Sequence, residues 1–245
     1  MSNPAEPFAT PPSEGASVVA TRWWWVRHAP VRNDGGCIYG QKDMDCDTSE
    51  RAVFEAVGQI LPRDALWFAS NLKRTHQTAE AIWSAGFPRP AALHQEPALA
   101  EQNLGQWQGL NRAAFLASLP AGSHWFAAID QKAPGGESFM DLYTRVRGAI
   151  ERINATHAGR TVIAVAHGGT IKAAIGLALG HLPAKGLAFD IDNCSVTRLD
   201  HIASENNSSS WRLPMVNQQP WLAEAAHSAM HQPAGPEVTV TTKLA

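Results

Sequence analysis

Residues 23–36 read WWWVRHAPVRNDGG, four bulky apolar side chains followed at once by an arginine and a histidine. A short apolar run that gives way to a stretch with proline and glycine predicts a strand buried on both faces, so Trp23, Trp24 and Trp25 are read as packing residues. A histidine at the end of a strand is usually structural. Arg27 and His28 gain a chemical meaning only if partners reach them from elsewhere in the chain.

Two further strand-like runs, LWFA at 66–69 and TVIAVA at 161–166, resemble the run at 22–26, and each is followed by apolar residues at helical spacing. This alternation predicts an α/β architecture with a mostly parallel sheet. The first helix is expected from near Asp47, whose carboxylate, with Glu50 three residues on, resembles a capping box ahead of the stripe Val53, Val57 and Ile60. A second is expected from Asn71 or Leu72 through Ile82. A third covers 138–153, with Leu142, Val146, Ala149, Ile150 and Ile153 on one face and Arg145, Arg147, Glu151 and Arg152 mostly on the other. A fourth, rich in Ala and Gly, follows Gly169 and stops near Gly180.

The chain has 245 residues, of which 44% are hydrophobic, enough to bury the core of a single domain. Its 20 basic and 22 acidic residues leave a formal charge of −2, which supplies no field to attract nucleic acid. Cys37, Cys46 and Cys194 are odd in number and widely spaced, which argues against a disulfide framework or a cysteine-built zinc site and fits reduced thiols in a cytoplasm. The N-terminal residues lack a signal-peptide pattern, and no apolar run reaches membrane-spanning length, so a soluble cytoplasmic protein is expected. Segment 1–20 and the tail 214–245, poor in large apolar groups, are expected to stay unordered around a domain at 21–213. His76, His94, His124, His157, His181 and His201 lack metal-ligand spacing, and the His227/His231 pair in the tail has no third ligand beside it, so no metal is expected.

In open α/β sheets, ligands sit beyond the carboxyl ends of the strands. The first run exits into Arg27 and His28, the second into Ser70, Asn71, Leu72, Lys73 and Arg74, and the third into His167, Gly168 and Gly169. If these strands are neighbours, two guanidinium groups and two imidazoles converge on one volume, a concentration of positive charge that is costly without an anion in it. A phosphoryl group fits that demand, because arginine's fork matches its oxygens and the amides around Gly168 at a helix start add donors. Glu101, in the loop ALAEQNLGQWQG, is placed as the proton donor to the leaving oxygen.

Together RHAP at 27–30, SNLKRTHQTAE at 70–80, LAEQNLGQWQG at 99–109, PGGES at 134–138, AHGG at 166–169 and NCSVTRL at 193–199 resemble the histidine phosphatase superfamily, the phosphoglycerate-mutase-like group. The resemblance implies a three-layer sandwich around the mostly parallel sheet. It also implies that His28 becomes phosphohistidine, that Arg27, Arg74 and His167 bind the phosphoryl oxygens, and that Glu101 is the acid and base. Asn33 and Gly168 are added as substrate-side contacts. Where the family usually has Gly, an acidic or polar residue, then Ser or Thr after the histidine, this chain has Ala29, Pro30 and Val31, which removes a hydroxyl.

Cofactor-dependent mutases in the superfamily carry a longer basic insertion after the acid. Between Gln102 and Pro134 this chain offers only Arg112 and Lys132 besides His124, which favours the phosphatase branch over a mutase or a non-catalytic phospho-ligand module. No cofactor is expected, the expected partner is a small-molecule phosphate ester, and a homodimer is compatible with the sequence. Trp107, Phe115, Trp125 and Phe126 in the same interval are expected to form an apolar lid over the substrate.

Overall fold

The computed structural model describes residues 18–121, 125–204 and 209–222. The stretch that decides the fold is strand β1 (Val18–Arg27), and its alternation is visible in the packing. Trp23 and Trp25 point to one face, their rings stacked at 5.0 Å and 11°, while Trp24 and Val26 point to the other. The remaining strands are β2 (Leu66–Ala69), β3 (Leu93–Gln95), β4 (Thr161–Ala166), β5 (Val196–Ser204) and β6 (Ser209–Gln218). They form one sheet in the order β3-β2-β4-β1-β5-β6, with parallel pairing from β3 through β1 and antiparallel pairing across β1-β5-β6.

Helices cover both faces, which gives three layers. On the face of Trp24 and Val26, helices α1 (Arg51–Ile60) and α2 (Lys73–Ser84) bring Phe54, Val57, Ala79 and Ile82 against Trp67 and Ile163. On the face of Trp23 and Trp25, α4 (Phe139–Thr156) and α5 (Gly168–Ala178) supply Leu142, Val146, Ile150, Ile171 and Ile175. Short helices α3 (Arg112–Ala117) and α6 (Pro183–Gly186) lie in the connections, with 3-10 turns at Pro97–Leu99 and Gly105–Trp107. The fold is the α/β, mostly parallel arrangement that the alternation of runs predicts. Among the described residues, no helix is long and apolar enough to cross a membrane.

Three local expectations are corrected. Helix α1 starts at Arg51, with no side-chain cap from Glu50, and the Asp47 carboxylate is taken by the amide of Ser49 at 2.8 Å and by Arg32, which leaves 47–50 outside the helix. Strand β1 starts at Val18, so 18–20 belong to the sheet. Strand β6 runs past 213 to Gln218, pairing Met215 with Arg198 and Gln218 with Val196. Pro214 is tolerated there because β6 is an edge strand and its ladder shifts register beside it. The expectations for 1–17 and 223–245, including His227 and His231, and for His124, lie outside the described residues.

The start of α4 follows the sequence closely. The Ser138 hydroxyl accepts from the Asp141 amide at 3.1 Å, and the Asp141 carboxylate accepts from the Ser138 amide at 2.9 Å, a reciprocal cap on two otherwise unpaired donors. Ser138→Ala is expected to lower unfolding free energy by about 1 kcal/mol. Urea denaturation checks this, and an unchanged midpoint would deny the cap its role.

Candidate active site

Strands β2, β4 and β1 are neighbours and end level, with Arg27 paired to Ala166 and Ala69 to Val165. The residues that follow them, Ser70, His167 and His28, therefore emerge side by side. The amide of His28 donates to the Ala166 carbonyl at 2.9 Å, and the His28 carbonyl accepts from the Asn193 side chain at 2.8 Å. Both anchors are backbone contacts and leave the ring free to be aimed.

The His28 ring is almost fully buried, and its Nδ1 lies 2.7 Å from the Ala29 carbonyl. A carbonyl only accepts, so Nδ1 carries the proton and Nε2 keeps its lone pair. Burial, together with the charges of Arg74 and Arg27, holds the His28 pKa well below the usual histidine value, the Ala29 contact opposing them. His167 stands against it, ring centroids 5.1 Å apart. Its Nδ1 accepts from Arg74 Nε at 3.2 Å, so Nε2 carries the proton and donates to the Ser70 hydroxyl at 2.8 Å. Burial first, then Arg74, His28 and Arg27, keep His167 neutral as well.

Arg74 is fully buried in the first turn of α2, where the helix dipole disfavours a cation. It is held by the carbonyls of Lys42 at 2.9 Å and Gly40 at 2.8 Å, with Tyr39 under its guanidinium. Arg27 donates through Nη1 to the Ile191 carbonyl, while its buried Nε has no partner. That orphan donor faces Gly168: a Cβ built there would come within 3.6 Å of Arg27 Nε and 4.0 Å of a Glu101 oxygen. Glu101 itself accepts from the Gly169 amide at 3.1 Å and from the Gln102 amide at 2.8 Å. One buried guanidinium group, a second of intermediate exposure whose buried Nε has no acceptor, and a helix start together describe a socket for a tetrahedral anion.

Above this floor lies a cavity of about 510 Å³, lined by Arg27, Glu101 and Gly168 below and by Tyr39, Trp125, Phe126 and Lys172 among its walls. Arg27, His28, Arg74, Glu101, His167 and Gly168 are thus brought together. Asn33 is not: it is exposed and the cavity wall there is Asp34, which pairs with Arg112 at 2.6 Å. Of the four lid aromatics, Trp125 and Phe126 line the cavity, whereas Phe115 packs behind Phe126 and Trp107 behind Phe115. Tyr39 and Asn193 were not singled out by the sequence, although Asn193 opens the NCSVTRL motif. Tyr39 sits in a loop whose shape depends on glycines with positive φ at 35, 36 and 40, and no periodicity announces it. The three cysteines are free, and among the described residues no group of His, Cys, Asp or Glu could hold a metal ion.

The sequence profile of the histidine phosphatase superfamily (branch 1) matches residues 23–214, and the chain belongs to that superfamily. It is 31% identical over 215 residues to a glucosyl-3-phosphoglycerate phosphatase of Mycobacterium tuberculosis, covering 81% of this chain and 95% of that one. It is 30% identical over 186 residues to a 2,3-bisphosphoglycerate-dependent phosphoglycerate mutase of Gloeobacter violaceus, covering 73% and 84%. A solved mycobacterial glucosyl-3-phosphoglycerate phosphatase in complex with inorganic phosphate superposes with a TM-score of 0.67 at 27% identity, over 82% of this chain and 99% of that chain.

The buried imidazoles make a pH prediction. Unfolded, they titrate near 6.5; folded, they refuse the proton, so the unfolded chain binds more protons below that value. Stability is therefore full above about pH 6.5 and declines as pH falls below it. His28→Asn, which removes one titration, is expected to flatten the decline in urea midpoint between about pH 7.5 and 5.5. A decline identical to the wild type would contradict the assignment.

Proposed function

We propose that the protein hydrolyses a small-molecule phosphate monoester through a phosphohistidine on His28. The observation that carries this reading is the Nδ1 contact to Ala29, which leaves the lone pair on Nε2 of a ring that feels the charges of Arg74 and Arg27. Nε2 attacks phosphorus in line with the ester oxygen, the P–O bond breaks, and the Glu101 carboxyl passes its proton to the departing alcohol. Water then attacks the phosphoenzyme, Glu101 takes a proton from it, the P–N bond breaks and phosphate leaves. Arg27, Arg74 and the amide of Gly168 hold the phosphoryl oxygens throughout. His167 holds Arg74 through Nδ1 and would reach a phosphoryl oxygen by turning the Nε2 proton away from Ser70. That a mycobacterial relative forms a complex with inorganic phosphate supports a phosphoryl ligand for this chain. The scheme uses no metal or organic cofactor, and the free thiols fit a cytoplasmic setting.

Phosphoglycerate mutase is the second reading, favoured by the Gloeobacter relative. Against it, the two basic side chains that follow Glu101 before Pro134 and are described here are already paired, Arg112 with Asp34 and Lys132 with Asp141. A bisphosphate would find little free charge there.

With an aryl phosphate, the enzyme is expected to release inorganic phosphate, and His28→Ala to lose about 10³-fold or more of that activity. Interconversion of phosphoglycerates without phosphate release would overturn the proposal. So would a His28→Ala variant as fast as the wild type. With phenyl phosphate, whose leaving group needs a proton, Glu101→Gln is expected to lower kcat/KM by about 10²- to 10⁴-fold, and a smaller loss would remove Glu101 from proton transfer.

A further inference from the structure

Glu101 lies outside regular structure, yet a general acid must be held to within a fraction of an ångström of its oxygen. Two backbone amides hold its carboxylate, and Gln41 and Thr170 each add a side-chain donor to the carbonyls of 99–101. The most extensive grip on this main chain comes from α4, from a residue that the helical pattern assigns to the polar face.

Arg145 uses all five of its N–H groups. Nη1 donates to the carbonyls of Ala98 at 2.9 Å and Ala100 at 2.8 Å, and Nη2 donates to the carbonyl of Glu101 at 2.8 Å. Nε and Nη2 donate to the two oxygens of Glu137 at 2.8 and 2.9 Å, a two-point pair with both side chains about four-fifths buried. Glu137 holds the loop on the other side of Glu101. Its carboxylate accepts from the Asn103 amide at 2.9 Å, its carbonyl from the Gln102 side chain at 2.8 Å, and its amide donates to the Asn103 carbonyl at 2.7 Å.

The approach is close enough to exclude side chains. A Cβ on Gly136 would fall 2.3 Å from the Asn103 carbonyl oxygen, and one on Gly105 would fall 2.2 Å from that of Pro134. The loop is thus gripped at 98–101 and at 102–103 by one ion pair.

We propose that Arg145 and Glu137 are the positioning residues of Glu101: they set the height and direction of its carboxyl over the leaving oxygen through the main chain, without touching substrate. This rests on Glu101 being the general acid. A lysine keeps the charge of Arg145 but cannot reproduce a planar five-donor fork, so Arg145→Lys fails nearly as badly as Arg145→Met. If Arg145 acted only through its charge, the lysine would suffice.

The test is the dependence on leaving group, read as kcat/KM for phenyl phosphate relative to p-nitrophenyl phosphate. A nitrophenolate departs with little help from an acid, whereas a phenolate needs one, so a displaced Glu101 penalises phenyl phosphate selectively. The ratio is internal to each preparation and does not depend on the folded fraction. Arg145→Met, Arg145→Lys and Glu137→Gln are each expected to lower it by about 10-fold or more, in the direction of Glu101→Gln. The double variant R145M/E137Q relieves the unpaired, mostly buried carboxylate and is expected to regain stability without regaining the ratio.

A wild-type ratio in the Arg145 variants, with a lowered one in Glu101→Gln, would overturn this proposal alone. So would rescue by Arg145→Lys. A wild-type ratio in Glu101→Gln would overturn the role of Glu101 and, with it, the role given to the pair.

Discussion

The hydrogen bond from His28 Nδ1 to the Ala29 carbonyl is made inside the protein, where the charges of buried Arg74 and partly buried Arg27 bear on the ring. Everything else in the site follows from keeping that imidazole neutral, with its lone pair on Nε2. Burial alone would favour the neutral ring but would leave its tautomer open. The carbonyl supplies the missing choice, and the nearby charges of Arg74 and Arg27 make a second proton unwelcome.

Such a cluster is expensive to hold, and the fold meets the cost with a rigid frame. Three parallel strands end level, their main chains bonded to one another, so that the His28 and His167 rings are placed by the sheet rather than by loops. The tryptophans of β1 fill both faces beneath them, and losing one large buried aromatic would cost about 3–5 kcal/mol. Arg74, unfavourable at a helix start, is held there by carbonyls of the loop that also carries Tyr39. An anion in the socket would offset the repulsion among these groups, which is the physical reason for reading them as a binding site.

Much of this was legible before any coordinates. The strands at 66–69 and 161–166 appear with the bounds read from the sequence, because a short apolar run between polar turns has few alternatives. Arg27, His28, Arg74, Glu101, His167 and Gly168 were legible because each follows a strand or sits in a motif. What was hidden depends on tertiary partners. Asp47 looks like a cap but is claimed by Ser49 and Arg32, and the 214–218 tract looks like a tail until β5 gives it hydrogen bonds. Asn33 failed because spacing in a loop does not say which side faces the cavity. Arg145 falls on the helix face opposite the apolar stripe, and periodicity cannot reveal a loop packed over that face.

The central claim is that Nε2 of His28 takes the phosphoryl group, and the most direct measurement is the site of labelling in enzyme quenched during turnover. An acid-labile, base-stable phosphoryl group on Nε2 of His28 is the result expected. A phosphoryl group on Nδ1, on another residue, or on none while phosphate is being released would contradict it.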